Sequence, residues 1–166
     1  DAGDRSVTMC YELMEHFYRT FKSAGTPDDK AYEKMNDAVR FVFLHEIGHA
    51  LGFLHEHQSP AANCVNEFNW DYIVKYLKGP PNNWDEETIR FNMAPFAGED
   101  LMLTEFDSQS VMLYSFPPEY YLAGDKSTCF IPSSNTDISG GDRATINYMY
   151  PSDPAARVKN FEQSKA

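Results

Sequence analysis

One short stretch constrains this chain more than any other, because it sets three histidines at fixed offsets around a glycine. Residues 45–55 read HEIGHALGFLH. His45 and His49 are four apart, so on a helix both project from the same face. Gly52 tolerates the left-handed conformation that ends a helix, which lets His55 approach from the side. Three imidazoles can then hold one tetrahedral zinc ion and leave a fourth position for water.

Glu46 follows the first histidine and indicates what such a site would do. Its carboxylate can lean over the open position, and zinc lowers the pKa of bound water to about 7, so Glu46 can take a proton at neutral pH. The resulting hydroxide would attack a carbonyl, and Glu46 would pass the proton to the departing amine. We therefore predict hydrolysis of peptide bonds by a zinc-bound water, with Glu46 as general acid/base. His57 could compete as third ligand, but the spacing from Gly52 favours His55.

Two segments downstream complete a pattern that resembles a known clan. Residues 110–114 read SVMLY and look like a methionine turn, and residues 138–151 are similar to the last helix of astacin- and matrixin-like domains. With the three-histidine motif, they make the chain resemble the metzincin clan of zinc metallopeptidases. Glu56 directly after His55, and Tyr114 two residues after Met112, point within that clan to an astacin-like branch of bacterial type.

The resemblance implies roles for residues that spacing alone does not assign. Met112 would form an apolar floor beneath the histidines. Tyr114 would act as a fifth ligand or donate a hydrogen bond where negative charge develops, its alternative role being plain packing. Residues 116–121 would line the pocket for the side chain after the scissile bond.

Periodicity and capping signals predict a helix-dominated fold with a little sheet. The resemblance implies an α+β, metzincin-like domain, here with a reduced N-terminal sheet and an irregular C-terminal subdomain. We expect helices over residues 11–24, 27–51, 70–78, 83–93 and 140–150, with strand-like pieces at 6–10, 111–114 and 128–131. Residues 1–151 would form a single metallopeptidase domain, with an upper part (1–52), a lower part (53–151) and the cleft between them. Residues 152–166 are polar, and we expect a loose tail.

Composition narrows the possible partners. Fourteen Lys+Arg against 25 Asp+Glu give a formal charge of −11, which repels phosphate backbones and anionic lipid, so we expect neither nucleic acid nor membrane as partner. The three cysteines allow one bridge, and Cys64–Cys129 is an open possibility beside free thiols, with no partner assigned to Cys10. The possible bridge and the resemblance predict a secreted or periplasmic protein.

The remaining expectations concern substrate, assembly and the region before the zinc helix. We predict a monomer that acts on a protein or peptide substrate. Only 44 residues precede His45, whereas metzincins have a multi-stranded sheet there, so we expect an upstream pro-segment or further strands. Residues 10–13 and 41–46 also resemble an uncharacterised bacterial family of proposed metallopeptidases. Two other functions stay open: a zinc-binding but inactive binding or inhibitory domain, and a zinc amidase for a small substrate.

Overall fold

The computed structural model describes residues 11–97 and 101–163, and the chain in these ranges is mainly helical. An isolated antiparallel bridge joins Phe68 and Tyr121. Short 3-10 turns lie at Glu56–Gln58, Cys64–Asn66, Pro118–Tyr120 and Gly124–Lys126. The helices are α1 (Tyr11–Ser23), α2 (Asp28–Ala50), α3 (Trp70–Lys78), α4 (Glu86–Met93), α5 (Gly140–Met149) and α6 (Pro154–Gln163).

Helix α2 carries the first two histidines and ends where the glycine pattern predicts. Gly52 has φ +90°, and its N–H donates to the carbonyl of His49 at 2.9 Å. The N–H of Phe53 reaches back to the carbonyl of Gly48 at 3.0 Å. This pair of bonds is the Schellman motif, in which a left-handed residue satisfies the last carbonyls of a helix. The chain therefore reverses immediately before His55.

The principal hydrophobic core lies in the lower part and is centred on α3 and α4. Ile73 and Ile89, one from each helix, are fully buried there together with Phe68. A disulfide joins Cys64 to Cys129 in this core, 65 residues apart. Of the pairings left open by the cysteine count, the structure thus has the Cys64–Cys129 bridge.

The reduced sheet is not confirmed. The described residues contain no β-strand, and the predicted strand at 6–10 lies outside them. The strand predictions at 111–114 and 128–131 are wrong, because side chains, two of them distant in the sequence, occupy the backbone donors that a strand would need. The N–H of Val111 donates to Asp142 and that of Met112 to Ser110 Oγ, while the N–H of Thr128 donates to Glu67.

The expectation of a loose tail after residue 151 is also wrong, since α6 forms there. Asp153 accepts a hydrogen bond from the N–H of Ala155 at 3.0 Å, and Pro154 begins the helix. A cap followed by proline in the first turn is an ordinary helix start, which the polar composition of the segment concealed. The hydroxyl of Tyr148 donates to the carbonyl of Asn160, which ties α6 to α5. No helix among the described residues combines the length and apolar character needed to cross a bilayer.

Candidate metal centre

The three motif histidines converge on one point. The candidate ligand atoms of His45, His49 and His55 all lie within 4.8 Å of one another. His45 is 2% exposed, and the other two are half-buried. The ring of His45 stands at 88° to that of His49, and their centroids are 4.7 Å apart. Helix α2 and the Gly52 turn thus bring together the cluster that the spacing predicts.

Each imidazole ring is oriented by a hydrogen bond between its Nδ1 and an oxygen atom. His45 Nδ1 lies 2.9 Å from the carbonyl of Val111, and His49 Nδ1 lies 2.9 Å from that of Phe53. His55 Nδ1 lies 2.9 Å from the side-chain oxygen of Gln58. A carbonyl oxygen accepts and cannot donate, so Nδ1 carries the proton in all three rings. The lone pair of each neutral imidazole is therefore on Nε2.

These lone pairs fit a tetrahedral cation. His49 Nε2 and His55 Nε2 are 3.1 Å apart, and His45 Nε2 is buried without a hydrogen-bond partner. Lone pairs at this separation repel each other unless a cation lies between them. A tetrahedral ion with Zn–N bonds of 2.0–2.1 Å places its nitrogens roughly 3.3 Å apart. The cluster could therefore hold a metal ion of the zinc type.

Burial favours the metal-binding form of two histidines, His45 and His55. Loss of solvent lowers the pKa of both His45 and His55, and the hydrogen bonds to Val111 and Gln58 only partly oppose this. Since a metal binds neutral imidazole, a lowered pKa weakens the competition from protons at these two ligands.

Met112 packs against the histidine helix at Gly48. It is 1% exposed, and a Cβ built on Gly48 would stand 2.3 Å from its sulfur. Only glycine at position 48 therefore lets the thioether approach the helix between His45 and His49. The motif contained this glycine, but its spacing gave no reason to expect a close approach.

The turn that carries Met112 is held by Asp142 of α5. Asp142 accepts from Ser110 Oγ at 2.7 Å and from the N–H of Val111 at 3.0 Å. The same carboxylate accepts from the N–H of Ser139, while Ser139 Oγ accepts from the N–H of Asp142, which completes a capping box on α5. One buried carboxylate therefore fixes both the start of α5 and the carbonyl that orients His45.

Tyr114 lies over the histidine rings. Its centroid is 4.8 Å from that of His45 and 4.9 Å from that of His55. Burial raises the pKa of the phenol, and the negative charge of Glu46 raises it further. The phenol is thus protonated at neutral pH and able to donate a hydrogen bond. Glu46 itself is exposed on α2.

Other residues singled out from the sequence have different partners, although the ring of His57 is stacked on that of His55 with 5.5 Å between centroids. His57 is buried, and its Nε2 bonds the carbonyl of Asn92 at 3.1 Å. Within the predicted pocket wall at 116–121, Phe116 is half-buried and its ring meets that of His57 at 5.0 Å. Tyr120 and Tyr121 belong to the lower core. Gln58 was not predicted as a contributor, although its place three residues after His55 is a local signal.

Comparison with known protein families identifies the class of protein to which the chain is similar. A family model described as Astacin, a family of peptidases, matches residues 35–150. The chain belongs to the astacin family, whose members depend on zinc. A second model, described as "Putative metallopeptidase", matches residues 1–62. The resemblance to an astacin-like metallopeptidase is therefore confirmed.

The structure is also similar to a solved one, that of myroilysin. The two share 27% sequence identity with a TM-score of 0.57. The similarity covers 78% of this chain and 56% of that chain, so this chain spans little more than half of the structure that it matches. No curated protein matches the chain.

Proposed function

We propose that the chain is a zinc-dependent metalloendopeptidase in which His45, His49 and His55 hold one zinc ion. The observation that carries the proposal is the convergence of their Nε2 lone pairs, with His45 Nε2 buried and unpartnered. When bound, zinc supplies a Lewis acid that polarises a peptide carbonyl and lowers the pKa of water. The buried Met112 supports the histidine helix from below.

Glu46 moves the proton in this proposal. Its carboxylate takes a proton from the attacking water and transfers it to the nitrogen of the departing amine, as general base and then general acid. Its position directly after His45 on α2 supports this role, as does its negative charge, which favours a raised pKa for both His45 and Tyr114. Tyr114 donates its phenolic proton as a hydrogen bond to the substrate oxygen on which negative charge develops.

The proposed substrate, domain organisation and localisation follow from the same class of protein. The substrate is a protein or peptide, and residues 1–151 act as one catalytic domain of a monomer with an upstream segment. The disulfide supports a secreted or periplasmic site of action, because such bonds persist in oxidising compartments.

The test is zinc-dependent cleavage. Protein loaded with zinc, its content checked by metal analysis, is incubated with casein and with a peptide library, with and without a chelator. We expect chelator-sensitive cleavage inside peptides. Cleavage of small amides alone would instead identify an amidase. Protein that carries one zinc per chain and cleaves none of these substrates would contradict the proposal.

A second candidate is a zinc-binding domain that binds proteins without cleaving them. The observation that favours it is that the described residues contain no strand with which an extended substrate could pair. Retention of intact casein on the immobilised zinc-loaded protein, with no fragments released, would favour this alternative.

A further inference from the structure

Gln58 is buried close to the histidine cluster with its amide fully engaged. It is 2% exposed. Its Nε2 donates to the carbonyls of Phe91 and Ala94, each at 2.9 Å. Its Oε1 lies 2.9 Å from His55 Nδ1. The backbone carbonyl of Gln58 also accepts from the N–H of Phe96 at 2.9 Å, so the residue is fastened to the end of α4 at several points.

The order of donors and acceptors leaves one arrangement for this amide. The carbonyls of Phe91 and Ala94 can only accept, so the NH₂ group has to face them. The amide oxygen then faces His55 and can only accept, so His55 Nδ1 has to donate. The proton of His55 is thereby held on Nδ1 and its lone pair on Nε2, on the side of His49.

His55 differs from the other two histidines in what orients it. His45 and His49 donate to main-chain carbonyls, those of Val111 and Phe53, which are present whatever the side chains at those positions. His55 lies beyond the end of the helix and donates to a side chain. Its orientation can therefore be changed by a single substitution that leaves α2 unaltered.

We propose that Gln58 is a positioning residue that selects the metal-binding tautomer of His55 and links α4 to the metal centre. The inference rests on the proposed function in so far as His55 binds zinc. An outer partner of this kind orients the ring and raises the basicity of the ligand nitrogen, and its loss typically costs 10–100-fold in metal affinity.

The first experiment reads the tautomer without any metal. Long-range ¹H–¹⁵N spectra of the metal-free protein, labelled with ¹⁵N-histidine, distinguish a proton on Nδ1 from one on Nε2. We expect the Nδ1–H form for His55 in the wild-type protein. A predominant Nε2–H form would overturn the proposal without the use of any variant.

The second experiment compares Gln58→Met with Asn135→Leu. Asn135 also donates its amide protons to two main-chain carbonyls, those of Ser108 and Ser110, but no hydrogen bond joins it to a histidine ring. Competition with a chromogenic chelator should show zinc binding weakened roughly 10- to 100-fold in Gln58→Met. The His55 tautomer should change in Gln58→Met and persist in Asn135→Leu.

The outcomes separate this inference from the proposed function. A folded Gln58→Met variant with wild-type zinc affinity and an unchanged His55 tautomer would overturn the role of Gln58 alone. A wild-type protein that binds no zinc would overturn the proposed function, and the metal-free spectra would still decide whether Gln58 sets the tautomer. If Gln58→Met does not fold, the wild-type spectrum alone decides.

Discussion

The spacing of the histidines in the cluster is local, whereas two of the three rings are oriented through contacts from distant parts of the chain, His45 by Val111 and His55 by Gln58 and α4. His45 and His49 take their spacing from one helix, which closes with bonds among residues 48–53. His55 depends on Gln58 and, through it, on α4 more than 30 residues away. The spacing of the histidines was therefore readable from the sequence, whereas their distant supports, Val111 for His45 and α4 for His55, were not.

The lower part and α2 also differ in how deeply their apolar side chains are buried. In the lower part, Phe68, Ile73 and Ile89 are fully buried around the disulfide, whereas Val39 and Val42 on α2 are only half-buried. Because burial of apolar area is the main favourable term in folding, we expect substitutions in the lower core to destabilise the protein more than substitutions at Val39 or Val42. The catalytic carboxylate that we propose, by contrast, lies on the exposed side of α2.

The largest effect should come from Glu46→Gln on the helix side of the cluster. Glutamine keeps the shape but cannot accept the proton, so kcat/KM should fall roughly 10²–10⁴-fold while one zinc per chain stays bound. Cleavage assays and metal analysis on the same preparation check both statements. Turnover at the wild-type rate would remove Glu46 from the mechanism.

Tyr114→Phe is the matched change on the loop side. It removes a single hydrogen-bond donor and retains the ring that contacts His45 and His55. The loss of kcat/KM should therefore be no more than roughly 10²–10³-fold. A greater loss of kcat/KM than in Glu46→Gln would show that Tyr114, rather than Glu46, makes the larger contribution to the reaction.

Removal of the disulfide should produce the largest change in stability. The bridge closes a loop of 65 residues, and its loss in Cys64→Ala/Cys129→Ala should lower the free energy of unfolding by about 4 kcal/mol. Denaturant unfolding of the double and single variants tests this. Each single variant already breaks the bridge, so the second substitution should cost little more. Additive losses would show that the buried side chains, rather than the bridge, stabilise the lower core.

A smaller effect follows from the burial of His57 in the loop region. Burial lowers the pKa of its imidazole from the ordinary 6.5 to about 4. Between these values the unfolded chain binds more protons than the folded one, so stability is full above pH 6.5 and is lost as pH falls toward 4. The free energy of unfolding should fall by on the order of 3 kcal/mol over this pH range. Unfolding of metal-free protein at pH 7 and pH 4.5 should show a shallower pH dependence in His57→Phe. Equal slopes would contradict this assignment.

The same contrast explains how far the sequence could be interpreted. The signals for α2, Gly52 and the predicted 70–78 helix depend on neighbouring residues, and those elements form where they were expected. The predicted strand at 111–114 failed because Asp142, about 30 residues further along the chain, takes the donor of Val111. No local pattern contains that contact. The pairing of Cys64 with Cys129 was undecided for the same reason, since it depends on the packing of the lower core.

Gly48→Ala tests whether helix propensity or the contact with Met112 dominates at this position of α2. The two predict changes of opposite sign in the free energy of unfolding. Helix propensity alone would make alanine more stable by about 1 kcal/mol. The added Cβ would stand 2.3 Å from the sulfur of Met112, which is 1% exposed and has little room to move. Overpacking of this kind costs about 1–3 kcal/mol, so we expect a net loss near 1 kcal/mol and a Tm about 2–4 °C lower.

Gly140→Ala is the control, since a Cβ there meets no atom within 4 Å. Its Tm should be unchanged or slightly higher, because only the propensity term acts at the first residue of α5. If Gly48→Ala were as stable as Gly140→Ala, Met112 would not pack firmly beneath the histidines. In that case helix propensity would outweigh the contact with Met112 on α2, and the turn at 110–114 would act on the cluster through the Val111 carbonyl that orients His45 rather than through Met112.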